Sequence, residues 1–175
     1  MEAIRISKAA PEDVGLLQQI GTQTFFEAFA QVNTESDMKQ YLEATFNEEK
    51  ILAELHNPES AFFIVWDGAS PIGYLKLNTG KAQTDLKETD SLEIERIYVL
   101  GAYHGKKVGQ LLYEKALEVA QLQHKSSIWL GVWENNHKAI RFYEKNGFVT
   151  FSTHMFRLGE DDQLDLLMRK ILSPH

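Results

Sequence analysis

One segment constrains this chain more than any other: the apolar run Leu92 to Val99, which leads through Leu-Gly-Ala-Tyr-His104-Gly-Lys-Lys into Val108-Gly109-Gln-Leu-Leu. The run has the β-branched and apolar content of a strand. The residues after it place apolar side chains at Val108, Leu111, Leu112, Ala116 and Val119, the spacing of an amphipathic helix. A strand that enters a helix through glycines needs a layered α/β or α+β arrangement. It also presents unpaired N–H groups, and the positive end of the helix dipole, to any anion beside the turn. Gly105 and Gly109 let a phosphate approach the backbone closely, and Lys106 and Lys107 add positive charge. The turn lacks the Gly-x4-Gly-Lys-Ser/Thr pattern of a mononucleotide loop and the third glycine of a dinucleotide fingerprint.

The flanking periodicities give the order β-α-α-α-β-β-β-α-β-α-β-β. Ala3 to Ser7 alternates as a strand, and Ala10-Pro11-Glu12-Asp13 opens a helix that continues through Val14, Leu17 and Ile20 towards Phe25, Phe26 and Phe29, as one broken or two consecutive helices. Helices over Ser36–Phe46 and Asn47–Leu55 end at Asn57-Pro58. Ala61–Trp66 and Ile72–Leu77 read as a hairpin, Thr79–Asp90 as a loop. After the helix that ends near Gln123, Ser127–Val132 is a buried strand, and Asn135 or Asn136 caps a helix that closes at Lys145-Asn146-Gly147. Phe148–Phe156 and Leu164–Ile171 form the last strand pair. No repeat or linker interrupts residues 1–175, so one domain is expected.

Composition narrows the function. The chain has 175 residues and a formal net charge of −7, which disfavours nucleic acid and suits a cationic small molecule. There is no cysteine, so disulfides, thiolate metal sites and a cysteine nucleophile are absent, and a cytoplasmic location is the default. No membrane-length apolar run or signal-peptide layout is apparent. The histidines 56, 124, 137, 154 and 175 are scattered without ligand spacing, so no metal is expected.

Strand parity places Glu93, Glu95, Ile97 and Val99 on one face and Leu92, Ile94, Arg96 and Tyr98 on the other. Carboxylates in a helix-covered strand are costly unless paired or facing a cavity. Glu93 and Glu95 therefore either form ion pairs with Arg96 or a lysine, or serve a cationic amine, as a base with a raised pKa or as its binding charge.

Taken together, Leu92-Glu-Ile-Glu-Arg-Ile-Tyr-Val99, the glycine turn, Ile128-Trp-Leu-Gly-Val-Trp-Glu-Asn-Asn136 and Ala139-Ile-Arg-Phe-Tyr143-Glu-Lys-Asn-Gly147-Phe148 resemble the Gcn5-related N-acetyltransferase (GNAT) superfamily. The first and third of these are closer still to the PaiA-type spermidine/spermine N-acetyltransferases. The resemblance spans essentially the whole chain. It implies a mixed, mostly antiparallel central sheet flanked by helices, acetyl-CoA as cofactor, and direct attack by an amine in a ternary complex.

Carried over by motif, the Ile97, Tyr98 and Val99 backbone holds the pantetheine arm and polarises the thioester carbonyl, which stabilises the tetrahedral oxyanion. Tyr143 protonates the departing thiolate, Glu95 or Glu93 assists deprotonation, and Asn136 hydrogen-bonds the cofactor in addition to capping. The family's pyrophosphate turn, Arg/Gln-x-x-Gly-x-Gly/Ala, falls on His104, Gly105, Lys106, Lys107, Val108 and Gly109, and Gln110 beside it joins the cofactor contacts. Here His104 takes the first place and Lys107 stands where glycine is usual, so the turn is expected to shift onto Gly105. In the family the early helices cover the acceptor cleft. Phe25, Glu27 and Phe29, with Tyr74, Trp133 and Glu134, are accordingly the candidate acceptor contacts, although the phenylalanines have helical core spacing. The expected acceptor is a polyamine. A protein N-terminus, an amino acid or an aminoglycoside is the alternative amine, and a CoA-binding sensor without turnover the alternative class. The protomer is a monomer or a homodimer.

Overall fold

In a computed structural model, residues 3–172 are described. Strand β1 (Ile4–Lys8) leads through a single 3-10 turn, Pro11–Asp13, into α1 (Val14–Phe29). That helix is continuous, neither broken nor doubled. It buries Leu17, Ile20, Gly21, Thr24 and Phe25 along one stripe, and the missing side chain at Gly21 admits the Phe46 ring. Helices α2 (Glu35–Thr45) and α3 (Glu48–His56) start where Thr34 and Asn47 accept the N–H of Asp37 (3.1 Å) and Lys50 (2.8 Å). The hairpin β2 (Ser60–Asp67) and β3 (Ser70–Asn78) turns at Gly68. Then come β4 (Ser91–Val99), α4 (Val108–Leu122), β5 (Ser127–Trp133), α5 (His137–Lys145), β6 (Val149–Leu158) and β7 (Asp161–Ile171).

The strands form one seven-stranded sheet in the order β1-β2-β3-β4-β5-β7-β6. Every neighbouring pair is antiparallel except β4–β5, which is parallel. The expected fold class is thus the observed one. Helices α4 and α5 cover one face through Val108, Leu112, Ala116 and Tyr143, packed on Leu75, Leu92, Ile94, Ile128 and Leu130. Helices α1, α2 and α3 cover the other through Leu17, Ile20, Phe25, Met38 and Ile51, packed on Phe62, Ile64 and Tyr74.

Two irregularities in β4 position the site. Lys76 pairs with Arg96 but Leu77 pairs with Ile94, so Glu95 is an extra residue, a bulge. The bulge overturns the parity expectation. Leu92, Ile94, Ile97 and Val99 pack towards α4, whereas Glu93, Glu95, Arg96 and Tyr98 lie on the side of α1–α3. The second irregularity is a splay. β4 and β5 pair only from Ser91–Ser127 to Ile94–Leu130, although both strands continue beyond. Past that point they diverge and leave a notch in the middle of the sheet.

Candidate active site

The notch opens into a cleft of about 1150 Å³ that runs from the start of α4 to the inner face of α1 and α2. At its first end the backbone does the work. Leu100 N–H bonds the Ile72 carbonyl on the β3 side. Polar groups alternate along a strand, so Ile97 and Val99 turn theirs the other way, into the notch. His104 Nε2 lies 2.8 Å from the Val99 carbonyl oxygen, to which it donates. That leaves the Val99 N–H and the polar groups of Ile97 directed at the cleft. The first intrahelical bond of α4 runs from Leu111 N–H to the Lys107 carbonyl (3.2 Å), so the Val108, Gly109 and Gln110 amides are helix-start donors beside the same cleft.

The turn does not shift away from Lys107. Lys107 itself takes φ +63°, two residues after Gly105 at φ +78°. The left-handed geometry that glycine usually supplies is retained here at a steric cost of about 1 kcal/mol. Nothing lies within 4 Å of where a side chain on Gly105 or Gly109 would begin, so the turn has open space in front of it. Lys106 leaves this group: it sits over the Tyr103 ring at 5.5 Å and does not line the cleft.

Helix α5 supplies the opposite wall. Asn136 Oδ1 accepts from Ala139 N–H (3.2 Å), so of the two asparagines it is Asn136 that caps, and it also lines the cleft. Gln110 and Asn146 bond each other across α4 and α5 (3.2 Å). Tyr143 is buried between Phe142 and Phe148, and burial pushes its phenol pKa well up, so it carries its proton at neutral pH. Its hydroxyl has no hydrogen-bond partner among the described residues, and the residue lines the cleft.

At the second end side chains do the work. Phe25 stacks on Phe29 (4.5 Å) and Tyr41 (4.5 Å), and Phe29 meets Trp133 at 6.4 Å, which closes an aromatic wall between α1, α2 and β5. Glu27 accepts from Gly101 N–H at 3.0 Å and ties α1 to the loop after β4. Two expected contacts drop out. Tyr74 is fully buried beneath Tyr98, with ring centroids 6.1 Å apart, and does not reach the cleft. Glu134 is an exposed strand-end charge outside the lining. Tyr98 turns its ring to the α1–α3 face, and its backbone polar groups, one residue from those of Ile97 and Val99, turn to β3.

The floor is a buried polar network. Lys76 Nζ donates to Glu95 (2.7 Å) and Glu54 (2.8 Å), Asn78 donates to both Glu93 (3.0 Å) and Glu95 (2.8 Å), and Arg96 lies 3.1 Å from Glu95. Burial pushes the Glu95 carboxyl up, but Arg96 and Lys76 outweigh it and hold the group below the usual range. A base with a raised pKa is therefore not what Glu95 provides; its charge is already shared. Burial does raise Glu93, against hydrogen bonds from Asn78 and Thr84, yet both of its oxygens already accept.

The sequence reading missed Asp165. It lines the cleft from β7, opposite Trp133 on one side and His154 on the other. Burial pushes its carboxyl up to about 6, with His154 pulling the other way. The available signal was Gln163-Leu-Asp165-Leu-Leu167, an acid on the strand face shared with a buried Gln163 and Leu167. Among the described residues no His, Cys, Asp and Glu side chains group as metal ligands; His175 lies outside them. No helix of the described residues is long and apolar enough to cross a membrane.

A model of the acetyltransferase (GNAT) family matches residues 23–148. An uncharacterized N-acetyltransferase of Lactobacillus delbrueckii subsp. lactis is 37% identical over 98% of this chain and 99% of its own. A spermidine N(1)-acetyltransferase of Thermoplasma acidophilum is 24% identical over 96% of this chain and 97% of its own. The crystal structure of the PaiA N-acetyltransferase of Thermoplasma acidophilum in complex with coenzyme A superposes with a TM-score of 0.81 at 23% identity, covering 97% of this chain and 99% of that one.

Proposed function

The chain belongs to the acetyltransferase (GNAT) family and is an acetyl-CoA-dependent N-acetyltransferase, and on that premise we propose that its acceptor is a polyamine of the spermidine class. The observation that carries this reading is the charge of the acceptor end. Glu27, Asp85, Glu93, Glu95 and Asp165 line it, against the guanidinium of Arg96, the Lys76 ammonium bonded to Glu95 in the floor, and the imidazole of His154, around the aromatic wall of Phe25, Phe29 and Trp133. Carboxylates draw in a polycation, and aromatic faces accept both methylene segments and ammonium groups. The spermidine N(1)-acetyltransferase among the relatives agrees with it.

The cofactor end fits acetyl-CoA on its own geometry, because the open space before Gly105 and Gly109 faces unpaired helix-start amides. Val108, Gly109 and Gln110 amides, with the Lys107 ammonium, would hold the pyrophosphate, while Asn136 and the Ile97 and Val99 backbone would align the pantetheine arm. Bound there, acetyl-CoA supplies a thioester whose carbonyl carbon is the electrophile. The Val99 N–H is placed to stabilise charge on the carbonyl oxygen. Tyr143, protonated and without a competing partner, gives its proton to the leaving sulfur. The chain has no cysteine to carry an acyl group, and attack is direct in a ternary complex. Glu95, tied to Lys76 and Arg96, and Glu93, tied to Asn78 and Thr84, fix the floor beneath the substrate.

The test is CoA-thiol release from acetyl-CoA with spermidine, spermine, lysine, a short peptide and kanamycin offered separately. The polyamines are expected to give the highest kcat/KM. Release favouring kanamycin, lysine or the peptide removes the polyamine and keeps the chemistry. CoA binding with no release from any amine instead points to a sensor without turnover.

A further inference from the structure

We propose that Asp165 on β7, and not a carboxylate of β4, takes the proton from the acceptor's ammonium before attack, directly or through one water. The proposal rests on acetyl transfer to an amine, whichever amine that is. An alkyl ammonium has no lone pair at neutral pH, so some group in the cleft has to receive its proton. Two of the three buried or half-buried carboxylates near the notch are committed: Glu95 to Lys76, Asn78 and Arg96, and Glu93 to Asn78 and Thr84. Asp165 makes no hydrogen bond or ion pair among the described residues, although it is half-buried.

Its position suits the task. The register puts Asp165 directly opposite Trp133, on the sheet face that meets Phe29. A side chain at Gly131 would begin 3.6 Å from Asp165 Oδ2, which sets the carboxylate over the part of β5 that has parted from β4. The amine nitrogen must come to this notch to reach a thioester held by Ile97 and Val99. The charged and titratable groups that act on Asp165 are His154 on β6, itself 3.1 Å from Asp85 on the loop before β4, and Tyr41 on α2, while Glu95 and Arg96 on β4 line the same cleft. His154 and Asp85 reach solvent and give the proton a way out.

The step balances. The ammonium loses one proton to Asp165, which passes it to solvent. The freed lone pair forms the C–N bond as the C–S bond breaks. The second N–H proton, released as the amide forms, replaces the one that Tyr143 gives to sulfur, so one proton leaves per turnover.

The experiment compares wild type with Asp165→Asn and Asp165→Glu across pH 5–9, using spermidine and a weakly basic amine that stays neutral throughout that range. Asp165→Asn is expected to lower kcat for spermidine about 100-fold. The fall of kcat below pH 6 should vanish, with CoA affinity unchanged. For the weakly basic amine the loss should shrink below about tenfold, since there is little proton to remove. Asp165→Glu should recover part of kcat. An unchanged kcat for spermidine in Asp165→Asn overturns the proposal, and so does an equal loss with both amines. If the Asn variant does not fold, the wild-type profiles still decide: a kcat limb near pH 6 with spermidine but not with the neutral amine supports Asp165, and its absence refutes it. Loss of turnover with every amine in wild type would sink acetyl transfer itself, a distinguishable result.

Discussion

The two ends of the cleft are built from different material. The cofactor end is made of backbone: a strand parted from its neighbour, a left-handed turn and the first amides of α4. The acceptor end is made of side chains from α1, α2, β4, β5, β6 and β7, most of them distant in sequence. Backbone donors need only a turn and a break in pairing, and they tolerate exchange of the side chains around them. A side-chain wall depends on every element that contributes to it, so specificity and fragility are both concentrated there.

The contrast can be broken at several points. Lys76→Met removes the ammonium shared by two buried carboxylates and is expected to cost about 3 kcal/mol. Thermal unfolding would then come some 6–12 °C lower; an unchanged midpoint would mean that the acceptor floor is not the costly part of the fold. Tyr143→Phe should lower kcat about 100-fold with little change in CoA or spermidine binding. Loss of CoA affinity instead would make the residue structural. Phe29→Ala opens the aromatic wall and should raise the KM for spermidine about tenfold, the scale of losing two ring contacts. A calorimetric CoA titration should be unaffected, and a matching drop there would merge the two ends. Lys107→Gly has the smallest effect. It relieves the left-handed φ, worth about 1 kcal/mol, and removes one cation, so a midpoint higher by about 2–4 °C should accompany CoA binding weaker by about threefold.

How far the sequence could be read follows the same division. The strand, glycine turn and helix of the cofactor end are local, and periodicity with turn chemistry located them. Two residues departed from it: Lys106 turns onto the Tyr103 ring, and Lys107 in the left-handed region is a tertiary override of a local preference. In β4 the alternation of side chains misled, because an extra residue at Glu95 reverses every face after it and no local pattern announces a bulge. At the acceptor end, Phe25 and Phe29 were legible as an apolar stripe, and Trp133 as an aromatic just past the strand Ser127–Val132. That Tyr74 lies beneath Tyr98 while Asp165 faces the cleft depends on which strands become neighbours, and β7 enters the sheet between β5 and β6. An acid among leucines near the end of the chain reads as ordinary alternation until that order is known.

The most direct test of the division is the ratio of kcat/KM for spermidine to that for butylamine, measured at low and high salt. The two share a reacting amine and differ in the positive charges beyond it. If the carboxylate-lined end selects polycations, the ratio is at least about ten, equivalent to 1.4 kcal/mol, and falls towards one as salt screens the cleft. A ratio near one at low salt would contradict the account and leave the acceptor end as a wall that chooses by shape alone.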